Sequence, residues 1–491
     1  MSWPISSNNA RLDLFHFSCK AALMNNVVEI PVWLLVAGGL LAAIGSLDRL
    51  LMPSVRWYLR RRLNRVIDRL NDRLQLSIQP FKLTRRKIMI DRLTHDPKVM
   101  DAIMAHAKSE NMPQEVVAKI AERYAREIVP AFSASTYFGF AIRASRFISK
   151  SLYRVRLGYI DDEALKDVDP ESTVIFVINH RSNMDYILVT FLVAERSALS
   201  YAVGEWARVW PLQQLIKAMG GYFIRRKSRN QLYRKVLARY VQLATEGGVT
   251  QAIFPEGGLS RDGALGEPKL GLLSYILGDF DPETSRNVVF VPVGLNYDRV
   301  LEDRVLTSIN INGRRKFRFQ PGAFLNYVTR QLWLRVWGRF YRNGYACVSF
   351  GRPISLTDYM VLHPPAEMPE IIENLGSVLM TRIGQVVPVL PVSLISTVLL
   401  QADGPLTMVE LKSEAQRIWQ DLSARDIYSH IPHSDEDYAV EVGLRMLTLR
   451  HVVTETDGRF AVDPAQSVIV QYYANAIIQH FDADLLVISA E

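Results

Sequence analysis

Val174-Ile-Phe-Val-Ile-Asn-His180-Arg-Ser-Asn-Met-Asp185-Tyr-Ile-Leu-Val is the stretch from which the rest of this chain is best read. An apolar run of strand-forming residues empties into a polar turn, and apolar periodicity then resumes. The turn holds a histidine and an aspartate five residues apart. Five residues along a helix is about 500°, which would leave the two side chains roughly 140° apart if the whole segment were helical. They meet only if His180 sits on the turn and Asp185 in the first turn of a following helix. The segment therefore predicts a strand, a loop and a helix, with Ser182 or Asn183 as N-cap. In that geometry a carboxylate fixes one imidazole tautomer and stabilises the imidazolium formed when the other nitrogen takes a proton. Alone, the same residues equally describe a loop histidine with a satisfied partner, so the remainder of the chain has to decide.

Three further β-rich runs recur between helical patterns, at Gly221 to Ile224, Thr250 to Phe254 and Val288 to Leu295. The alternation predicts an α/β domain with a largely parallel sheet and flanking helices. In such sheets ligands gather at the carboxyl ends of the strands. The run ending at Ile224 delivers Arg225, Arg226 and Lys227, which can grip phosphate oxygens or simply be solvated. The run ending at Phe254 opens into Pro255-Glu256-Gly257-Gly258-Leu259-Ser260-Arg261-Asp262-Gly263. Its paired glycines let the backbone approach a ligand, and Glu256 can accept from a substrate hydroxyl or lock an arginine. A glycine-rich turn with a solvated glutamate is the plainer reading. Pro292 stands inside the fourth run and predicts an edge strand or a local bend.

With 491 residues the chain has room for two or three domains, and 49% apolar against 22% charged residues suits a globular protein. The excess of 58 basic over 50 acidic residues gives a net +8. That fits an anionic membrane surface, a nucleic acid or a phosphorylated substrate without choosing among them. The only two cysteines, Cys19 and Cys347, exclude a disulfide framework and a cysteine-rich zinc site, and no metal is expected.

Residues 1–50 contain the run Ile30 to Leu47, 18 positions without a charge, just long enough to cross a bilayer as a helix. A buried helix or one dipping into a leaflet would read the same way. Arg56, Arg60, Arg61, Arg62, Arg65, Arg69 and Arg73 follow, so the positive-inside rule puts the bulk of the chain on the cytoplasmic side. Residues 51–155 predict a helical N-terminal domain, with helix starts at Asp96-Pro97 and after Asn111 at Pro113. The α/β domain occupies 156–360. Within it, Trp333, Trp337 and Phe340 fall at helical spacing among arginines, a pattern of core or of the lipid headgroup region. Residues 365–491 predict a helical module in which Thr407-Met-Val-Glu410 is a capping box and Asp457-Gly458 a hairpin turn. Helices followed by a hairpin suggest a winged helix, hence an alternative as a membrane-tethered regulator reading nucleic acid. The mixed charge of Leu411 to Leu422 speaks against it, and no nucleic-acid partner is expected.

Taken together, H-R-S-N-M-D-Y from His180, G-Y-F-I-R-R from Gly221, F-P-E-G-G-x-S-R-x-G from Phe254 with P-K-x-G at Pro268 to Gly271, and V-P-V from Val291 resemble successive motifs of one family. It is the glycerol-phosphate acyltransferase superfamily, and most closely its bacterial membrane glycerol-3-phosphate acyltransferases. Leu93 to Pro130 and the stretch from Gln471 to His480 resemble further segments of those enzymes. The resemblance implies transfer of a fatty acyl group from acyl-CoA or acyl-carrier protein to the sn-1 hydroxyl of glycerol 3-phosphate, forming lysophosphatidic acid without a cofactor. His180 would be general base, oriented by Asp185. Arg181, Ser182, Arg225, Arg226, Lys227, Glu256, Gly257, Gly258, Ser260, Arg261, Lys269 and Pro292 would belong to substrate binding. Membrane lipid is an implied partner and the inner membrane, with the catalytic domain facing the cytoplasm, the implied location. Leu259 departs from the pattern, since these enzymes commonly carry an arginine there. Dihydroxyacetone-phosphate and lysophosphatidate acyltransferases share the His and Asp motif, although F-I-R-R and the C-terminal match point away from the latter.

Overall fold

The computed structural model of the protein describes residues 79–193, 198–208, 210, 212–225, 228, 230–312, 329, 333, 343–363 and 367–481, together with the backbone of two N-terminal strands. Residues 1–72 and 73–491 separate into two compact units. In the first, β1 (Ser18–Leu23) and β2 (Asn26–Pro31) pair as an antiparallel hairpin. The helix expected to start at Ile30 therefore does not start there, because Ile30 and Pro31 close a strand. The rest of that run, the arginines from Arg56 to Arg73, Trp337 and Phe340 lie outside the described residues. Among the described residues no helix is long and apolar enough to cross a membrane.

The second unit opens with helices. In α1 (Pro97–Ser109), Asp96 caps the first turn by accepting from Lys98 N at 3.1 Å, with proline where no N–H is needed. After Asn111, at φ 50°, α2 (Gln114–Ile128) begins behind Pro113, and α3 (Ile142–Leu152) leads into the sheet.

The strands are β3 (Arg154–Ile160), β4 (Thr173–Ile178), β5 (Ser200–Gly204), β6 (Tyr222–Ile224), β7 (Gln251–Ile253), β8 (Val288–Tyr297), β9 (Tyr345–Phe350) and β10 (Ile354–Ser355). Their order is β3-β9-β8-β4-β7-β5-β6, with β10 also on β8. All pairings are parallel except those of β8 with β9 and β10, so the largely parallel sheet carries one antiparallel interruption. β4 is buried at every position. Its successive side chains point to opposite faces, and Val174, Phe176 and Ile178 enter one core while Ile175 and Val177 enter another. A strand apolar on both faces is what helices covering both sides of a parallel sheet require.

One face is covered by α6 (Gln231–Glu246), α7 (Gly271–Leu277) and α9 (Met368–Val386), against which α1 and α2 pack. The other is covered by α4 (Met184–Val193), which follows β4, and by the C-terminal helices α10 (Pro391–Gln401), α11 (Met408–Ala424), α12 (Glu436–Thr448) and α13 (Ser467–Ala474). On this second face, α5 (Leu212–Ala218) precedes β6 and α8 (Asp303–Asn312) follows β8. Strands β11 (Leu406–Thr407), β12 (Val453–Thr456) and β13 (Arg459–Val462) form a small antiparallel sheet in the order β11-β13-β12. The hairpin closes on Asp457 and Gly458, both at positive φ. At the start of α11, Thr407 N donates to Glu410 Oε2 at 2.7 Å and Glu410 N to Thr407 Oγ1 at 3.3 Å.

Pro292 does not mark an edge. β8 lies between β4 and β9, and the proline falls where its partner on one flank changes from β10 to β9. There its carbonyl accepts from Gly351 N at 2.8 Å, beyond the end of β9, so the ladder is already interrupted at the residue without an N–H.

The parallel registers set the level of the strand ends. Val177 stands opposite Ile253, Tyr201 opposite Ala252, and Ala202 opposite Tyr222. Three residues onward from the row Val177, Ile253, Ala202 and Tyr222, the chain places His180, Glu256, Glu205 and Arg225 along one edge of the sheet.

Candidate active site at the carboxyl edge of the sheet

Asp185 is the second residue of α4, and His180 lies on the loop before it. Ser182 caps the helix, its Oγ accepting from Met184 N at 3.1 Å. Asp185 Oδ2 accepts from His180 Nδ1 at 2.9 Å and from the backbone N–H groups of Arg181 at 2.8 Å and Ser182 at 3.0 Å. Its other oxygen accepts from the Tyr297 hydroxyl at 2.7 Å. Burial, reinforced by the neighbouring carboxylate, pushes that phenol well above its ordinary range, so it stays a donor. A carboxylate taking four hydrogen bonds is fixed in orientation and assigns the imidazole proton to Nδ1. Nε2 is then the nitrogen free to take a proton. Phe254 lies against the imidazole with ring centroids 4.3 Å apart, and Tyr186 meets it edge-on at 5.5 Å.

Two further carboxylates grip the same loop. Glu256 Oε1 accepts from His180 N at 2.7 Å and Oε2 from Gly266 N at 3.1 Å. Burial pushes its carboxyl upward, while these N–H bonds and the Arg181 charge pull it back. Glu302, just before α8, accepts from Ser182 Oγ at 2.8 Å, Asn183 Nδ2 at 3.0 Å and Asn183 N at 3.3 Å, and burial pushes its carboxyl up too. Tyr297 and Glu302 were not foreseen. They stand more than a hundred residues from the groups they hold, and the only local signal was their place after the V-P-V run.

A cavity of about 850 Å³ opens along this edge. His180 and Asn183 line it together with Gly257, Gly258 and Leu259, the cations Arg225, Arg234, Arg261 and Lys269, and apolar residues including Leu237, Leu272, Leu273 and Leu379. It therefore combines an imidazole, a charged wall and an apolar wall. Among the described residues no three His, Cys, Asp or Glu side chains converge as metal ligands.

Other residues singled out from the sequence hold the scaffold instead of the cavity wall. Arg181 is buried; its Nη2 donates to Ala476 O at 2.9 Å, and its Nε and Nη1 have no partner among the described residues. Ser260 ties the glycine loop, donating from its N–H to His180 O at 2.9 Å, from Oγ to Ala264 O at 2.8 Å, and accepting from Gly263 N at 3.0 Å. Pro292 is buried in the sheet. Of the basic triplet, Arg226 and Lys227 lie outside the described residues, and the guanidinium of Arg225 is spent on Glu127, at 2.8 Å from Nε and 2.6 Å from Nη2.

Two family models match the chain, one described as acyltransferase over residues 159–296 and one as glycerol-3-phosphate acyltransferase C-terminal region over residues 331–490. The chain thus matches both an acyltransferase region and the C-terminal region of glycerol-3-phosphate acyltransferases. Proteins named glycerol-3-phosphate acyltransferase are similar to it along most of its length. That of Aeromonas hydrophila is 29% identical, covering 84% of this chain and 52% of its own, and that of Xanthomonas campestris is 26% identical, covering 86% and 49%. The chain thus spans about half the length of the curated relatives it matches. The crystal structure of the 1-acyl-sn-glycerophosphate acyltransferase PlsC from Thermotoga maritima shares 17% identity over 61% of this chain and 96% of its own, with a TM-score of 0.30.

Proposed function

We propose that this chain transfers a fatty acyl group from an acyl thioester to the sn-1 hydroxyl of glycerol 3-phosphate, forming lysophosphatidic acid and a free thiol. The observation that carries this reading is the His180–Asp185 pair at 2.9 Å beside a cavity walled by both cations and apolar side chains. Nε2 of His180 takes the hydroxyl proton as the substrate oxygen attacks the thioester carbonyl. The tetrahedral oxyanion collapses, the C–S bond breaks, and the imidazolium returns the proton to the leaving thiolate. Asp185 stabilises the imidazolium between these two transfers.

The acceptor is short. About five bonds separate its sn-1 oxygen from its phosphorus, so the phosphate stays within roughly 6 Å of the attacking oxygen. The loop after β7, the strand beside β4, supplies Arg261 and Lys269 to the cavity, and these would hold the phosphate beside the Gly257 and Gly258 amides. The apolar wall suits the acyl chain. The uncharged run over residues 32–47 and the arginines behind it support work at the cytoplasmic face of the inner membrane.

The test is to incubate the purified protein with glycerol 3-phosphate, dihydroxyacetone phosphate and lysophosphatidate in turn, with acyl-CoA and acyl-carrier protein as donors, and to identify products by mass spectrometry. Lysophosphatidic acid from glycerol 3-phosphate is the expected result. Product from another acceptor alone, or from none, would overturn the assignment.

A further inference from the structure

The carboxyl edge of the sheet carries a second charged site. The row His180, Glu256, Glu205 and Arg225 crosses β4, β7, β5 and β6, so Arg225 lies three strand spacings from His180, roughly 14 Å at about 4.8 Å each. There a recess of about 450 Å³ is lined by Arg123 and Arg126 of α2, Arg208 after β5, Lys217 of α5, and Arg225, with Glu127 buried among them. Arg225 lines both this recess and the cavity of His180, so the two adjoin.

Positive charge in the recess exceeds what its acids offset. Glu127 takes Arg208 at 2.8 Å and Arg225 at 2.6 Å, and Glu122 is paired with Arg126. Arg123 and Lys217 have no carboxylate partner among the described residues, Lys217 donating to the Arg126 carbonyl at 3.0 Å. Burial, with the repulsion of Arg86 and Arg208 added, brings the Lys217 ammonium down to about 8. Like charges crowded around a concave surface favour an anion that bridges them.

The acceptor's phosphate stays within roughly 6 Å of a hydroxyl at His180, a span shorter than the roughly 14 Å between these strand ends. The donor is longer. About thirteen bonds run from the thioester sulfur to the phosphorus of a 4′-phosphopantetheine arm, a little over four residue-lengths of extended chain, or about 15 Å. We propose that the recess of Arg123, Arg208, Lys217 and Arg225 binds the phosphate end of a 4′-phosphopantetheine thioester, with the arm laid across the carboxyl ends of β7 and β5 and the carbonyl at His180. This rests on the acyl-transfer reading. Acyl-CoA and acyl-carrier protein share the phosphate and differ in what is attached beyond it.

The test uses the full-length chain with Arg123→Glu, an exposed position, and separately Lys217→Met, each checked for an unchanged melting temperature. Donor KM is measured with acyl-CoA and with acyl-carrier protein, and the Kd of unacylated CoA by titration. Each variant should raise the donor KM and the CoA Kd about tenfold, leaving kcat and the acceptor KM within about twofold. An effect on both donors points to the shared phosphate, and an effect on one identifies that donor as the occupant. Unchanged donor KM and CoA binding, or a rise in acceptor KM instead, overturns the proposal while wild-type turnover leaves acyl transfer standing. If the wild type transfers nothing, that reading fails separately, and the CoA titration still decides: binding weakened by the variants upholds the recess, and absent or unaltered binding overturns it.

Discussion

Asp185 Oδ2 lies 2.9 Å from His180 Nδ1 and on the same oxygen accepts the backbone N–H groups of Arg181 and Ser182, so one buried carboxylate aligns the imidazole and builds the loop that carries it. Asp185→Asn keeps the shape but can present an N–H where Nδ1 needs an acceptor, which favours the wrong tautomer. We expect kcat to fall by about 10³ to 10⁴ with substrate KM within a few-fold. Steady-state kinetics on the folded variant check this, and a fall of less than tenfold would remove Asp185 from its role.

Leu259 lines the cavity beside the loop that bears Arg261. Leu259→Arg adds a guanidinium on the cavity wall at the position where the motif resemblance leads one to expect arginine. We expect acceptor KM to fall by about threefold to tenfold, on the order of 1 kcal/mol, with donor KM unchanged. An unaltered acceptor KM would mean that the phosphate is held elsewhere.

Asp298 is buried at the junction of β8 with the C-terminal helices, accepting from Tyr345 N at 2.7 Å and Val392 N at 3.1 Å. Burial pushes its carboxyl from the ordinary 3.8 up to about 7, those N–H bonds opposing the rise. Between these values the unfolded chain has lost the proton and the folded chain keeps it, so this group's contribution to stability falls as pH rises and levels off above about 7. Urea denaturation at pH 5 and pH 7 should show the wild type losing up to about 3 kcal/mol more than Asp298→Asn over that window, at roughly 1.4 per unit. Equal losses would remove Asp298 as the titrating group.

Gly263, at φ 89°, packs against the Tyr472 backbone of α13, and a Cβ there would collide with the Tyr472 carbonyl. The same contact region joins Arg181 to Ala476 and Asn475 Nδ2 to Asp262 O at 2.9 Å. Gly263→Ala should destabilise the protein by about 3 kcal/mol and lower activity by displacing the Arg181 loop. Thermal denaturation and kcat report the two effects.

The sequence made the strand-end motifs legible because each is local. A β-branched run such as Thr173 to Ile178 followed by a polar turn announces its own end, and the H-x4-D spacing fixes how its two side chains can meet. β5 has no clear signal because Ser200 to Gly204 is short and ends in a glycine, and the choice left open at Pro292 between an edge and a local bend is settled only by tertiary structure, where the ladder changes partners beside it. The partners of the motif residues were equally hidden. Tyr297 and Glu302 reach the His180 loop, and Glu127 reaches Arg225, across separations with no periodic signature. The pairing of Arg225 with Glu127 has no local signal for that reason.

The most direct measurement is product formation from glycerol 3-phosphate and an acyl thioester by purified wild type and His180→Ala, with melting temperatures recorded alongside. The wild type should release lysophosphatidic acid, and the variant, equally folded, should lose at least about 10³ of kcat. Undiminished transfer by folded His180→Ala protein would contradict the assignment of His180 as the base.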